Sequence, residues 1–131
     1  MKNELTIIPG TRIALFRCSG PVEFEDRMRN VERMAQFCDE NSIKHLIVDI
    51  RQQESKTTTV QMFDLGTSVP KVLRAIRIAV VCQSSDREAQ FGETVAANRG
   101  ARSRSFTTVE EAQKWLEGED IALNQSLQGA P

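Results

Sequence analysis

The hydrophobic positions of this chain fall alternately into strand-length runs and helical stripes. Residues 4–8 (Glu-Leu-Thr-Ile-Ile) predict a short strand closed by the turn pair Pro9-Gly10, and residues 11–18 predict a second strand. The two-residue break makes an antiparallel hairpin the natural pairing, with the first strand at a sheet edge. Ser19-Gly20-Pro21 then opens a helix over about residues 22–40. Phe24, Met28, Val31, Ala35 and Cys38 advance by four, three, four and three, so they line one helical face, which Met34 and Phe37 widen. On the other face Glu23 precedes Arg27 and Glu25 precedes Arg29 by four residues, the favourable order for ion pairs along a helix.

Lys44–Ile50 is a near-continuous apolar run, as expected of a central strand covered on both sides. The polar residues 51–57 read as a connection. The next helix covers about residues 58–67 and buries Val60, Phe63 and Met62, with Gly66 and Pro70 limiting it. After an extra turn over 69–75 comes a strand over 76–82. Ser85 with Glu88 forms a capping-box pattern for a helix ending near Asn98, with Gly100 as its left-handed cap. A short strand over 102–106 follows. Thr108 with Glu111 repeats the capping pattern for a helix that turns Val109, Ala112 and Leu116 inward and closes at Gly118. Residues 119–131 read as a mobile tail or as a last turn docked by Ile121 and Leu123. The alternation predicts a single α/β domain over residues 1–118, with a mixed, mostly parallel sheet of four or five strands and four flanking helices.

Composition narrows the classes of function. At 131 residues the chain is long enough to bury one core without covalent staples. Its 17 basic and 18 acidic residues leave a net charge of −1, which argues against a nucleic-acid partner. Aromatic residues make up 5% with no Tyr, too few for a platform that stacks single-stranded bases. No apolar run approaches the roughly 18 residues that cross a bilayer. Met1–Leu5 lacks the apolar core of a signal peptide, so a cytoplasmic protein is expected. Cys18, Cys38 and Cys82, odd in number and widely spaced, fit reduced thiols.

Reaction chemistry has little to stand on. The single histidine, His45, opens the third strand, while Cys18 and Cys82 end the second and fourth. Parallel strands would set imidazole and thiol on the order of 15–20 Å apart, whereas a nucleophile needs its base within about 3 Å. No Cys or His pair has metal-ligand spacing, so no metal is expected. Glu110-Glu111 and Glu23-Glu25-Asp26 sit in first helical turns, where they complement the macrodipole. The glycines form no phosphate-binding or dinucleotide fingerprint, so no cofactor is expected either. Arg99, Arg102 and Arg104 read as charges that protect an edge strand.

Several segments together resemble the STAS-like (SpoIIAA-like) group of small α/β domains. They are Phe16–Gly20, Leu46–Arg51, Arg77–Val81, Phe91–Gly100, and Phe106 with Glu111-Ala112 and Trp115-Leu116. The resemblance spans nearly all of residues 5–117. It relates the chain to anti-sigma factor antagonists and to bacterial proteins grouped with CRAL-TRIO lipid-exchange domains, and it implies a β-α superhelix. Together with the missing catalytic constellation it leads to the expectation of a non-enzymatic module. Those antagonists carry an Asp-Ser-Ser-Gly-type phosphorylation motif at the start of the helix after the third strand. Here that place holds Ser55-Lys56-Thr57-Thr58-Thr59, without the Asp-Ser pair or the glycine.

The carboxyl edge of such a sheet is where open α/β proteins place ligands. Three segments are expected to converge there: Ser19 and Gly20; Asp49 and Arg51 with Ser55, Thr57 and Thr58; and Ser84 with Ser85. Helix N-terminal amides, hydroxyls and an arginine can cradle an anion, although capping alone accounts for most of these hydroxyls. The expected function is an interaction or regulatory module that binds a protein partner or a second copy through a sheet edge or helix face. The alternative is a carrier of a lipid or small anionic metabolite, held between the second helix and the sheet by Met62, Phe63, Leu65 and Val69.

Overall fold

The computed structural model describes residues 1–118. Nine elements follow in order: β1 (Lys2–Ile7), β2 (Ile13–Val22), α1 (Phe24–Glu40), β3 (His45–Ser55), α2 (Thr59–Val72), β4 (Arg77–Val81), α3 (Arg87–Asn98), β5 (Arg102–Phe106), and α4 over residues 109–118. The five strands lie in sequence order, β1-β2-β3-β4-β5. β1 pairs antiparallel with β2 at one edge, and the other three pairings are parallel. The α/β class and the mostly parallel mixed sheet are therefore as the hydrophobic pattern predicts. The tail assigned to 119–131 lies outside the described residues.

Alternation along the strands sends one set of side chains to each face. Ala14, Phe16, Leu46 and Ile78 pack against α1 and α2. Ile13, Leu15, Ile47, Ala79 and Val81 pack against Ala112 and Leu116 of α4. β3, central in the sheet, is thus apolar on both sides. Gly100 adopts the left-handed φ of +99° after α3, as a C-cap requires. Thr108 accepts from the Glu111 amide at 3.2 Å and donates to the Glu111 carboxylate at 3.1 Å, completing the predicted cap of α4.

Several boundaries differ from expectation. Ser19-Gly20-Pro21 does not open a helix: it continues β2, and α1 begins at Phe24. Residues 51–55 continue β3 as its partner beside the lengthened β2. α2 runs to Val72 with Pro70 inside it, so neither Gly66 nor Pro70 ends it. Gly66 instead marks a close helix crossing. A Cβ there would lie 2.8 Å from the Gly92 carbonyl oxygen and 2.8 Å from Val95 Cβ, and one on Gly92 would lie 2.5 Å from Met62 Cε. Ser85 is not the cap of α3 either; Asp86 accepts from the Ala89 amide at 3.0 Å. Val60 and Phe63, expected inside, are exposed, while Met62 is buried.

Candidate functional site

A bulge in β3 shapes the carboxyl end of the sheet. Arg17 pairs with Asp49 but Ser19 pairs with Gln52, so Cys18 stands opposite both Ile50 and Arg51. An extra residue on one strand reverses which alternate positions face inward. Before the bulge, the face under α1–α3 receives Leu46, Val48 and Ile50; after it, the same face receives Gln53 and Ser55. A buried apolar strand thereby becomes one that presents polar groups to the helices.

Those groups meet a buried arginine. Arg27 on α1 is 8% exposed, and its Nη1 donates to Ser55 Oγ at 3.0 Å, Thr57 Oγ1 at 3.0 Å and Glu88 Oε1 at 2.8 Å. Met62 Sδ lies 3.1 Å from the same nitrogen. Ser55 and Thr57 also donate to Glu88 at 2.6 and 2.5 Å, and they contact each other. Burial pushes the guanidinium down from its ordinary value, and the carboxylate of Glu88 opposes that shift. The cluster ties α1, the end of β3, the start of α2 and α3 together through one ion pair. Arginine suits this role because its charge persists on burial and its fork spans several acceptors.

A second ionic cluster occupies the opposite face. Asp49 accepts from Arg51 Nε at 3.0 Å, Arg51 Nη2 at 2.9 Å, the Arg51 amide at 3.2 Å and Arg17 Nε at 3.3 Å. Burial alone would raise this carboxyl, but the hydrogen bonds from Arg51 and Arg17 outweigh it and hold Asp49 below its ordinary value. Glu110, near the start of α4, is close enough to Arg51 to raise its pKa further.

Between the sheet and α1, α2 and α3 lies a cavity of about 100 Å³. Val48 and Val80, central in β3 and β4, keep partial exposure there, although Leu46 and Ala79 beside them are fully buried. The helix layer stands off the sheet at this level. α3 turns only Ala89, Gly92 and Ala96 with Glu93 toward the space, and α2 supplies Met62, Leu65 and Val69. Small side chains on α3 leave the gap that larger ones would fill.

The residues singled out in the sequence therefore divide. Ser55 and Thr57 join the Arg27–Glu88 cluster. Thr58 caps α2 by accepting from the Gln61 amide at 3.1 Å. Asp49 and Arg51 lie across the sheet from Ser55 and cannot share an anion with it. Ser19 and Gly20 are paired within β2, and Ser84 and Ser85 are exposed in the turn before α3. Met62, Leu65 and Val69 line the expected space beside the second helix, whereas Phe63 faces outward, with the Arg99 guanidinium 5.4 Å from its ring centre. Arg27 and Glu88 were missed. Arg27, Val31, Met34 and Cys38 also advance by four, three and four, so the true inward stripe sits beside the predicted one and includes a charge. The exposed Glu23–Arg27 and Glu25–Arg29 pairings give way to Arg27–Glu88 and to Arg29–Asp26 at 2.5 Å.

Thiol and imidazole stay apart. His45 stands opposite Ile13 and Arg77 in register, five residues from Cys18 and Cys82 along their strands, or roughly 16 Å at strand rise. All three cysteines are buried. Burial raises the Cys18 and Cys82 thiols, and it pushes Cys38 up to about 11. Among the described residues no group of three or more His, Cys, Asp or Glu side chains could hold a metal, and no helix is long and apolar enough to cross a membrane.

Comparison with solved structures places this architecture. An uncharacterised protein of the DUF3478 family with a SpoIIAA-like fold, from Shewanella loihica PV-4, superposes with a TM-score of 0.57 at 16% identity, covering 88% of this chain and 92% of its own. The anti-sigma factor antagonist SpoIIAA in its unphosphorylated form gives 0.55 at 14% identity, over 89% of this chain and 99% of that one. The Bacillus cell fate determinant SpoIIAA in its phosphorylated form gives 0.53 at 11%, over 88% and 99%. No family model matches the sequence, and no curated protein matches it. The chain has a SpoIIAA-like, STAS-type fold.

Proposed function

We propose that this chain is a non-enzymatic regulatory module of the cytoplasm that acts by binding another protein. The reading rests on where large apolar side chains remain in water. Val60 is 71% exposed, Phe63 40% and Phe91 38%, and all three lie on α2 and α3. Val60 and Phe63 are one turn apart, and Phe91 precedes Gly92, which abuts Met62. Among the described residues, only Met1 joins them as an exposed large hydrophobic. Exposed large apolar side chains gathered on two neighbouring helices mark interaction surfaces more often than singly scattered ones do. The fold supports the same reading, since one structural neighbour is named an anti-sigma factor antagonist. Arg99 beside Phe63 gives the patch a charged border, suited to an apolar partner surface with a polar rim.

The test compares wild type with the triple variant Val60→Ser/Phe63→Ser/Phe91→Ser. Quantitative affinity capture from the protein's own cell extract is read beside light scattering of the purified proteins. A stoichiometric partner held by wild type, and weakened about tenfold or more in the variant, is expected. Equal capture by both proteins contradicts the proposal, as does a strict monomer with no stoichiometric partner.

A further inference from the structure

The space beneath α2 and α3 combines three features: size, a largely hydrocarbon wall, and one buried donor with capacity to spare. Every hydrogen bond that Arg27 makes among the described residues uses Nη1. Its Nε and Nη2 are uncommitted, and the residue lines the cavity beside Asn30 and Gln53. The charges around the space decide what it accepts. Arg27 is already matched by Glu88 at 2.8 Å, and Glu93 contributes a second carboxylate to the wall. One cation thus faces two acidic groups, so an anion entering the space meets no net positive charge. Burial raises the Glu93 carboxyl, while its bond from Ser103 at 3.3 Å opposes that shift, which shows how poorly this wall solvates negative charge.

We infer that the cavity is a binding site for a small uncharged molecule, mostly hydrocarbon, whose single hydrogen-bond acceptor meets Nε or Nη2 of Arg27. A sealed cavity of about 150 Å³ accepts benzene; this space of about 100 Å³ holds about four non-hydrogen atoms and opens on one side, so a ligand of about six seats partly within it. Occupancy would replace the contacts that Val48 and Val80 lack. It would also give Nε or Nη2 of Arg27 an acceptor that the described residues do not supply.

Two probes of equal size separate the chemistry: 2-pentanone, neutral with one carbonyl, and butyrate, an anion. Carbon-13 labelling of the methionine methyls supplies four reporters, of which Met34 and Met62 line the cavity while Met1 and Met28 do not. Titration with 2-pentanone should move the Met34 and Met62 signals saturably in the millimolar range and leave Met1 in place. Butyrate should act about tenfold more weakly or not at all. Ala96→Leu, which fills the space from α3, should abolish both shifts. The inference is overturned if 2-pentanone gives no saturable shift, if butyrate binds as well, or if a folded Ala96→Leu protein still responds. Should that variant fail to fold, xenon under pressure decides on wild type: saturable movement of the same two methyls supports the cavity, and none overturns it. These titrations do not read the exposed surface of α2 and α3, so their failure would leave the proposed protein contact standing.

Discussion

On one face of the sheet a single helix among the described residues, α4, sets Ala112 and Leu116 against Ile47, Ala79 and Val81, and all five are fully buried. On the other face three helices leave a cavity of about 100 Å³ and a buried ion pair between themselves and the strands. More helices have produced a looser layer. The difference lies in how each face is closed. α4 meets the sheet directly through apolar side chains. α2 and α3 are drawn to each other by the Gly66–Gly92 crossing, and Arg27 pins them to α1 and to the end of β3. Interiors normally pack to crystal-like density, so the gap under one layer is the departure on which the inferred ligand site rests. The exposed apolar residues of α2 and α3 lie on that same layer, so both the proposed protein contact and the proposed ligand site fall on this half of the molecule.

The packed face should be the more sensitive to truncation. Leu116→Ala should lower the unfolding free energy by about 3–4 kcal/mol, measured by urea denaturation, because nothing near it can collapse. A loss below 1 kcal/mol would mean that α4 docks loosely. Arg27→Met should lower stability by about 2–3 kcal/mol, since Glu88 then loses its cation but keeps partial access to water. Gly66→Ala should cost about 1–2 kcal/mol despite the better helix propensity of alanine, because the new methyl meets Val95 and the Gly92 carbonyl. A gain in stability there would show that α2 and α3 can separate freely.

The layering was legible in the sequence because it depends on periodicity, which apolar residues report directly. The apolar run of β3, the Gly100 stop and the Thr108–Glu111 cap were all readable for that reason. The polar site was not. A single extra residue in β3 moved Ser55 to the face opposite Asp49, and a bulge leaves no compositional trace in Ile50-Arg51. Arg27 was misplaced because helical stripes of equal spacing lie side by side, and a charge normally decides against the inward one. Its partner Glu88 looked like a capping residue, a role taken locally by Asp86.

Smaller effects sharpen the contrast between the two ionic clusters. Asp49→Asn should cost about 1 kcal/mol at pH 7, from the charge-assisted bonds to Arg51 and Arg17. The folded carboxyl lies below its ordinary value, so this contribution is complete above about pH 5 and is lost as pH falls through the depressed value. Denaturation curves of wild type and variant should converge in acid; a constant difference down to pH 2 would refute the assignment. The smallest signal is chemical. Cys18, Cys38 and Cys82 should react with a thiol reagent only at the rate of opening, because burial keeps all three protonated. Fast labelling of Cys38 in the folded protein would mean that α1 is not seated as described.

One substitution made on each face tests the asymmetry most directly: alanine to leucine at Ala96, over the cavity, and at Ala112, under α4. Equilibrium denaturation should show Ala96→Leu more stable than wild type by about 1 kcal/mol, because the added carbons fill existing space. Ala112→Leu should be less stable by about 1–3 kcal/mol, because Ala112 is fully buried in an apolar cluster that three extra carbons would overpack. Equal losses at both positions would mean that the two faces are packed alike, and that the site described beneath α2 and α3 does not exist.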